Sequence, residues 1–341
     1  MSNTSSGKGW GWRFRLATAG AAVGLMSATL MTGAAGPAAT SASAASKYTF
    51  VLIPGLTVDP FYITMHNGAA VEAAKLGVTL KWVGTTTWST PLQIPVVNSV
   101  LASKPSALLI APTDLHALFK PMDAYYTAGI PVVSVDTALS NQSILTAAIS
   151  SDNYQGGALA ADTIAKLAHD KGQVAVINTV KGVSTTDLRQ AGFLAEMKKY
   201  PNMQVVASDY DNDLLTQAEA ISRSLILSHP NLVGIFGTNL YSAQGAGQGV
   251  AAAKEKGKIY VAGYDAEPAE ITLLRQGVIN ILVIQNPAAE GALAVQDAYW
   301  ALTGDKSMIK KSVLLPNVVA TTANMNEPSV SKYFYSSTLK G

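Results

Sequence analysis

Cysteine is absent from this 341-residue chain. No disulfide, thiolate metal site or cysteine nucleophile can form, and the thiol that a lipoprotein signal requires is missing. Histidine is scarce. His66, His116, His169 and His229 fall on separate expected helices without paired spacing, so a zinc site or a histidine-based triad lacks its parts. Charge is thin at 13% of residues, and Lys and Arg occur singly or in pairs rather than as the basic stripe that nucleic acid requires. The segments DNYQGG at 152–157 and AQGAGQGVAAA at 243–253 complete neither a P-loop nor a dinucleotide fingerprint. Their glycines are expected to serve close packing at helix starts, and no cofactor is expected.

What is present begins with an address. Lys8, Arg13 and Arg15 precede an apolar, glycine-broken stretch from Leu16 to about Gly33, and the first 44 residues hold no acid. Ala42-Ser43-Ala44 supplies the small-x-small pattern of a signal peptidase site, so residues 1–44 are expected to be a signal peptide. The stretch falls short of the ~20 apolar residues of a membrane span. An exported, extracytoplasmic protein without a lipid anchor is the expectation. The chain's 24 bases and 22 acids lose three bases and no acid with that segment, so the apparent basicity belongs to the targeting peptide.

The roughly 297 residues that remain exceed what one core usually serves. With 48% hydrophobic residues there is material for two. Apolar runs of strand length alternate with helix-periodic runs almost without interruption. Strands are expected at 48–53, 78–83, 107–110, 131–135 and 145–149, then at 173–178, 203–207, 232–236, 259–263 and 279–284. Helices are expected near 61–76, 91–103, 115–128, 154–170, 187–199, 214–228, 241–256, 268–275 and 288–303. Alternation of this kind calls for α/β architecture with parallel sheets covered on both faces. Two successive blocks, with a break near Ser150-Ser151-Asp152, favour two doubly wound Rossmann-like lobes over a single eight-stranded barrel.

Polar residues stand where these strands end. Asp59, Phe61 and Tyr62 follow YTFVLIP, Asp136 closes IPVVSVD, Asn239 closes VGIFGTN, Asp265 closes IYVAGYD, and Gln285 closes NILVIQ. Any one could simply cap the next helix. Drawn from both blocks, they are expected to face one another across a cleft, because open α/β sheets hold ligands outside the carboxyl ends of their strands. A carboxylate beside two rings suits a polyhydroxylated ligand, whose hydroxyls donate to the acid while the rings cover its C–H face. Asp136 and Asp265 could also form a glycosidase acid pair, but nothing in the sequence raises the pKa of either.

The chain resembles the sugar-binding proteins of bacterial ABC importers, the group that contains the ribose-binding protein. The resemblance runs from about Lys47 to about Lys311. Its segments are DPFYITMHNGAAVEAAKLGV at 59–78, LLIAPTD at 108–114, AGIPVVSVD at 128–136, ISSDNYQGG at 149–157, LRQAGF at 188–193, SHPNLVGIFGTN at 228–239, GYDAEP at 263–268 and IQNPAAEG at 284–291. It implies two lobes joined by three hinge crossings: a first lobe at 47–150 plus 287–312, a second at 151–286 plus 313–325, and an appended tail at 326–341. It implies that Asp59, Phe61, Tyr62 and Asp136 meet ligand from the first lobe, and Arg189, Asn239, Asp265 and Gln285 from the second lobe and hinge. Arg189 enters through LRQAGF alone, since a helix arginine otherwise reads as solvated.

Departures from the ribose-binding pattern bear on the ligand. Ala111 stands where that pattern has asparagine, Thr137 where it has arginine, and Asp59 where it has asparagine, while the aromatic expected after the strand at 203–207 is displaced, with only Tyr210 near. Loss of a cation and gain of a carboxylate disfavour phosphates and sugar acids. Trp82 and Trp88 flank GTTTWST; Trp82 lies within a strand run that favours core packing, and Trp88 is equally placed to stack on a sugar. The implied function is non-enzymatic capture of a neutral monosaccharide or polyol by a monomer that delivers it to an ABC permease. A sensor presenting sugar to a membrane receptor would use the same cleft. A repressor effector domain would need a helix-turn-helix where this chain carries its export signal.

Overall fold

The computed structural model describes residues 46–340, so the expected signal peptide at 1–44 lies outside the described residues. The first half runs β1 (Thr49–Ile53), α1 (Pro60–Leu76), β2 (Thr79–Trp82), α2 (Thr90–Ala102), β3 (Ala107–Ile110), α3 (Phe119–Thr127), β4 (Val132–Val135) and β5 (Ala147–Ser151). It continues with α4 (Asn153–Leu167), β6 (Gly172–Asn178), α5 (Ser184–Met197), β7 (Met203–Tyr210), α6 (Leu215–Ser228), β8 (Leu232–Gly237), α7 (Leu240–Ala252), β9 (Tyr260–Tyr264), α8 (Pro268–Arg275) and β10 (Ile281–Ile284). Last come α9 (Pro287–Thr303), a 3₁₀ turn at Lys306–Met308, β11 (Ser312–Leu315), β12 (Val318–Ala320) and α10 (Pro328–Ser331).

Two six-stranded sheets result, ordered β2-β1-β3-β4-β5-β11 and β7-β6-β8-β9-β10-β12. Every pairing is parallel except β10 with β12. Central strands β1, β3, β4 and β10 are buried almost throughout, as uninterrupted apolar runs must be when helices cover both faces. Full burial of each large aliphatic side chain contributes about 1.5–3 kcal/mol. In both sheets the strand order reverses once near the middle, beside β1 and β6. The carboxyl ends there open a crevice.

Helix boundaries follow from local chemistry. Asp59 caps α1 by accepting from Phe61 N–H at 2.7 Å, Pro60 occupies the first turn, and Gly77 at φ +66° ends the helix in the left-handed region. At α9, Asn286 accepts from Ala289 N–H at 3.2 Å and Pro287 follows. The expected glycine packing is found. A Cβ on Gly157 would lie 1.8 Å from Arg189 O and one on Gly192 1.9 Å from Tyr154 O, so α4 and α5 touch backbone to backbone.

The chain passes between lobes at Asp152, at 285–286 and at 316–317. The boundary expected after 312 therefore falls later, because β11 pairs in parallel with β5 and extends the first sheet to Leu315. Strand β5 itself sits two residues beyond its expected place, since Ser150 and Ser151 join the ladder despite their polarity. A second correction concerns 326–341, expected as an appended tail. Val330 and Tyr335 are buried in the core, and residues 336–340 hydrogen-bond along α1. No helix among the described residues is long and apolar enough to cross a membrane.

Candidate functional site

The two lobes meet at the mouth of the crevice, where Ala138 N–H donates to Ser184 Oγ at 3.2 Å. One cavity lies behind that contact. All eight sequence-derived residues, Asp59, Phe61, Tyr62, Asp136, Arg189, Asn239, Asp265 and Gln285, line it.

Each lobe builds its half by the same two devices. The first is a strand that ends in an aspartate of positive φ: Asp136 (φ +60°) after β4 and Asp265 (φ +87°) after β9. Asp136 N–H donates to Ile149 O and Asp265 N–H to Val283 O, both at 2.9 Å, which closes the last rung of the ladder before the chain turns. Aspartate tolerates this region better than most residues, and a β-branched side chain would not. The second device is a helix N-terminus with an Asp or Asn cap and an aromatic two residues on. Asp59 with Phe61 opens α1; Asn239, accepting from Ser242 N–H at 3.0 Å, opens α7 with Tyr241. The capping role of Asp59 and Asn239 and their place in the lining coexist.

Hydrogen bonds fix the acids without using all their oxygens. Tyr62 OH donates to Asp136 Oδ2 at 2.6 Å, and Gln285 Nε2 donates to Asp265 Oδ1 at 2.6 Å. Gln285 Oε1 is buried without a hydrogen-bond partner among the described residues. Arg189 is 3% exposed, which overturns the solvated reading of a helix arginine. Its Nε donates to Asn153 Oδ1 at 2.8 Å, its Nη1 to Thr238 O at 2.9 Å, and its guanidinium lies 3.6 Å from the centroid of the Tyr264 ring. Gly156 permits this, since a Cβ there would fall 2.1 Å from Tyr264 Oη.

The enclosed acids are hard to ionise. Burial, with the charge of Asp265 next, pushes Asp59 up to about 7; burial pushes Asp136 up to about 6 despite the Tyr62 hydroxyl. Behind them stand Glu267, pushed up to about 10 by burial and then by Asp59, and Glu290, raised well above the carboxylate range by burial and held by Ser151 Oγ at 2.8 Å.

Of the two tryptophans, Trp88 lines the cavity, its ring against Gly55, whereas Trp82 packs on His66 with ring centroids 5.1 Å apart. Thr137 is turned away and donates to Pro112 O at 2.7 Å. Tyr210 does not line the cavity. Tyr241 does, beside Asp213, which accepts from Asn239 Nδ2 at 2.7 Å. Neither is in the sequence-derived set, although the repeat of Asp59-x-Phe61 as Asn239-x-Tyr241 would have located Tyr241. Among the described residues no group of three or more His, Asp or Glu is placed to hold a metal ion.

The family model described as "Periplasmic binding protein domain" matches residues 50–306. The ribose import binding protein RbsB of Salmonella typhimurium is 30% identical over 296 residues, spanning 86% of this chain and 97% of that protein. An ABC transporter solute binding protein from Agrobacterium vitis, solved with α-D-tagatopyranose, is 36% identical with a TM-score of 0.82, covering 85% of this chain and all of that one. A carbohydrate transporter solute binding protein from Agrobacterium radiobacter, in complex with D-arabinose, is 30% identical with a TM-score of 0.79, over 84% and 98% of the two chains.

Proposed function

The chain belongs to the periplasmic binding protein domain family, and from that premise we propose that it captures a neutral monosaccharide or polyol between its lobes and delivers it to an ABC permease. The observation that carries the reading is the acceptor-rich lining. Asp59, Asp136, Asp265 and Gln285 line the cavity with one cationic residue, Arg189, among aromatic walls. Hydroxyl groups donate to such a surface; phosphates and sugar acids would meet like charge. Hydrogen bonds involving a charged partner contribute about 1.5–3 kcal/mol each, and stacking on Phe61 or Trp88 adds to them.

The protein works in this reading without chemistry of its own, as an exported monomer. Asp136 and Asp265 serve as acceptors rather than as an acid pair. The sugars bound by the Agrobacterium proteins and the ribose named for the Salmonella relative support this ligand class. Asp59, in place of an amide, argues for a sugar other than ribose.

A thermal-shift screen tests the proposal with D-tagatose, D-arabinose, D-allose, D-ribose and myo-inositol against sugar acids and sugar phosphates. A ligand at a hundred times its Kd stabilises the native state by about 2.7 kcal/mol, which for a domain of this size moves Tm by about 5–10 °C. One or more neutral compounds should do so. Shifts from charged compounds alone would refute the reading.

A further inference from the structure

The C-terminal segment packs behind the cavity wall, against two of its lining residues, Asp265 and Gln285. From β12 the chain runs through α10 to Tyr335, which is 5% exposed and whose N–H donates to Ala266 O at 3.0 Å in the second lobe. Its ring packs edge-on against Phe61 of the first lobe at 5.7 Å between centroids. Its hydroxyl donates to Asp265 Oδ1 at 3.1 Å and accepts from Gln285 N–H at 3.3 Å. Gln285 Nε2 donates to that same oxygen. Both donors therefore hold one oxygen of Asp265, and no hydrogen bond among the described residues uses the other.

Beyond Tyr335 the segment changes lobes within one residue. Ser336 N–H donates to Thr64 Oγ1 at 2.7 Å, Asn67 Nδ2 donates to Thr338 O at 2.9 Å, and Lys340 N–H donates to Asn67 Oδ1 at 2.7 Å. Phe61, Thr64 and Asn67 are spaced by three and share one face of α1. The contact is thus a further non-covalent link between the lobes, beside the hinge residue Gln285 and added to the three covalent crossings.

We propose that Tyr335 is a positioning residue for the ligand, turning the free oxygen of Asp265 toward a sugar hydroxyl, and that residues 336–340 strap α1 so that Phe61 stays seated on Tyr335. The inference rests on the sugar-binding reading for its ligand, but not for its geometry. Burial, with the charge of Asp265 next, raises the Tyr335 phenol well above its ordinary range, so it remains a donor across the working pH range. Asp265 then enters the cavity with one acceptor committed and one available.

Two variants test this, Tyr335→Phe and Asn67→Ala, titrated calorimetrically with the neutral sugars of the screen. Tyr335→Phe removes the hydroxyl and keeps the ring. It should weaken the best sugar about tenfold and narrow the ratio between the best and second-best sugars, whereas simple loss of fold would weaken both alike. Asn67→Ala should weaken binding severalfold and release the amides of Ser336 and Lys340 to hydrogen exchange. Unchanged affinity and selectivity in both variants would overturn the proposal. If no sugar binds the wild-type protein, the functional reading fails instead, and exchange in the free protein decides the inference. The Gln285 and Ser336 amides should be protected in wild type and Gln285 released in Tyr335→Phe; fast exchange of both in wild type would overturn it.

Discussion

Asp59 serves two ends with one carboxyl, capping α1 with Oδ1 and lining the cavity. The burial that places it in the cavity wall makes its ionisation costly. Asp59 at about 7 and Asp136 at about 6 are both raised above the unfolded value of 3.8. Between those limits the native state holds protons that the unfolded chain has released, so stability falls as pH rises through 6–7. Scanning calorimetry of the ligand-free protein should show Tm declining from pH 5 to pH 8. Asp59→Asn keeps a good cap and removes one of the two charges. It should flatten that decline and raise Tm at pH 8. The strand-end acids are legible in the sequence because an acid after an apolar run has few other places to go. Tyr335 is not, since it lies in SKYFYSSTLKG, where neither helical nor strand periodicity points any residue inward.

Among the elements, α5 carries Arg189 to the cavity only because α4 lies against it without intervening side chains. Gly192→Ala would insert a Cβ 1.9 Å from Tyr154 O. Overpacking of this kind costs about 1–3 kcal/mol, or several degrees of Tm for a domain of this size, and it should weaken sugar binding through Arg189. Gly55→Ala separates the two effects. Its Cβ would meet the Trp88 ring at 2.3 Å and Tyr62 Oη at 2.6 Å, both in the cavity wall. Calorimetry should find affinity reduced by at least tenfold with a smaller loss of Tm than Gly192→Ala. Most strands and helices are legible because buried parallel strands are continuous apolar runs. The exceptions lie after α9: β12 and α10 are three and four residues long, and β11 is an edge strand whose residues alternate exposed and half-buried, SVLL carrying too little apolar length to declare itself before Pro316.

At the scale of the molecule, two sheets of the same order place their carboxyl edges face to face, with the three covalent crossings joining them and the Ala138–Ser184 hydrogen bond meeting at the mouth. A ligand that touches both halves favours the closed arrangement because only that arrangement makes both sets of contacts. The two-lobe plan was readable from the repeat of the alternating blocks. The last crossing and the C-terminal strap were not, because both depend on short segments whose partners are more than 150 residues away in sequence. On the proposed function, the interlobe cavity is the sugar site and Asp265 one of its acceptors. Calorimetric titration of wild type and Asp265→Ala with the strongest neutral sugar decides this. One-site binding to wild type, weakened ten- to a hundredfold or more in the variant, is the predicted result; equal affinity in the two proteins would contradict it.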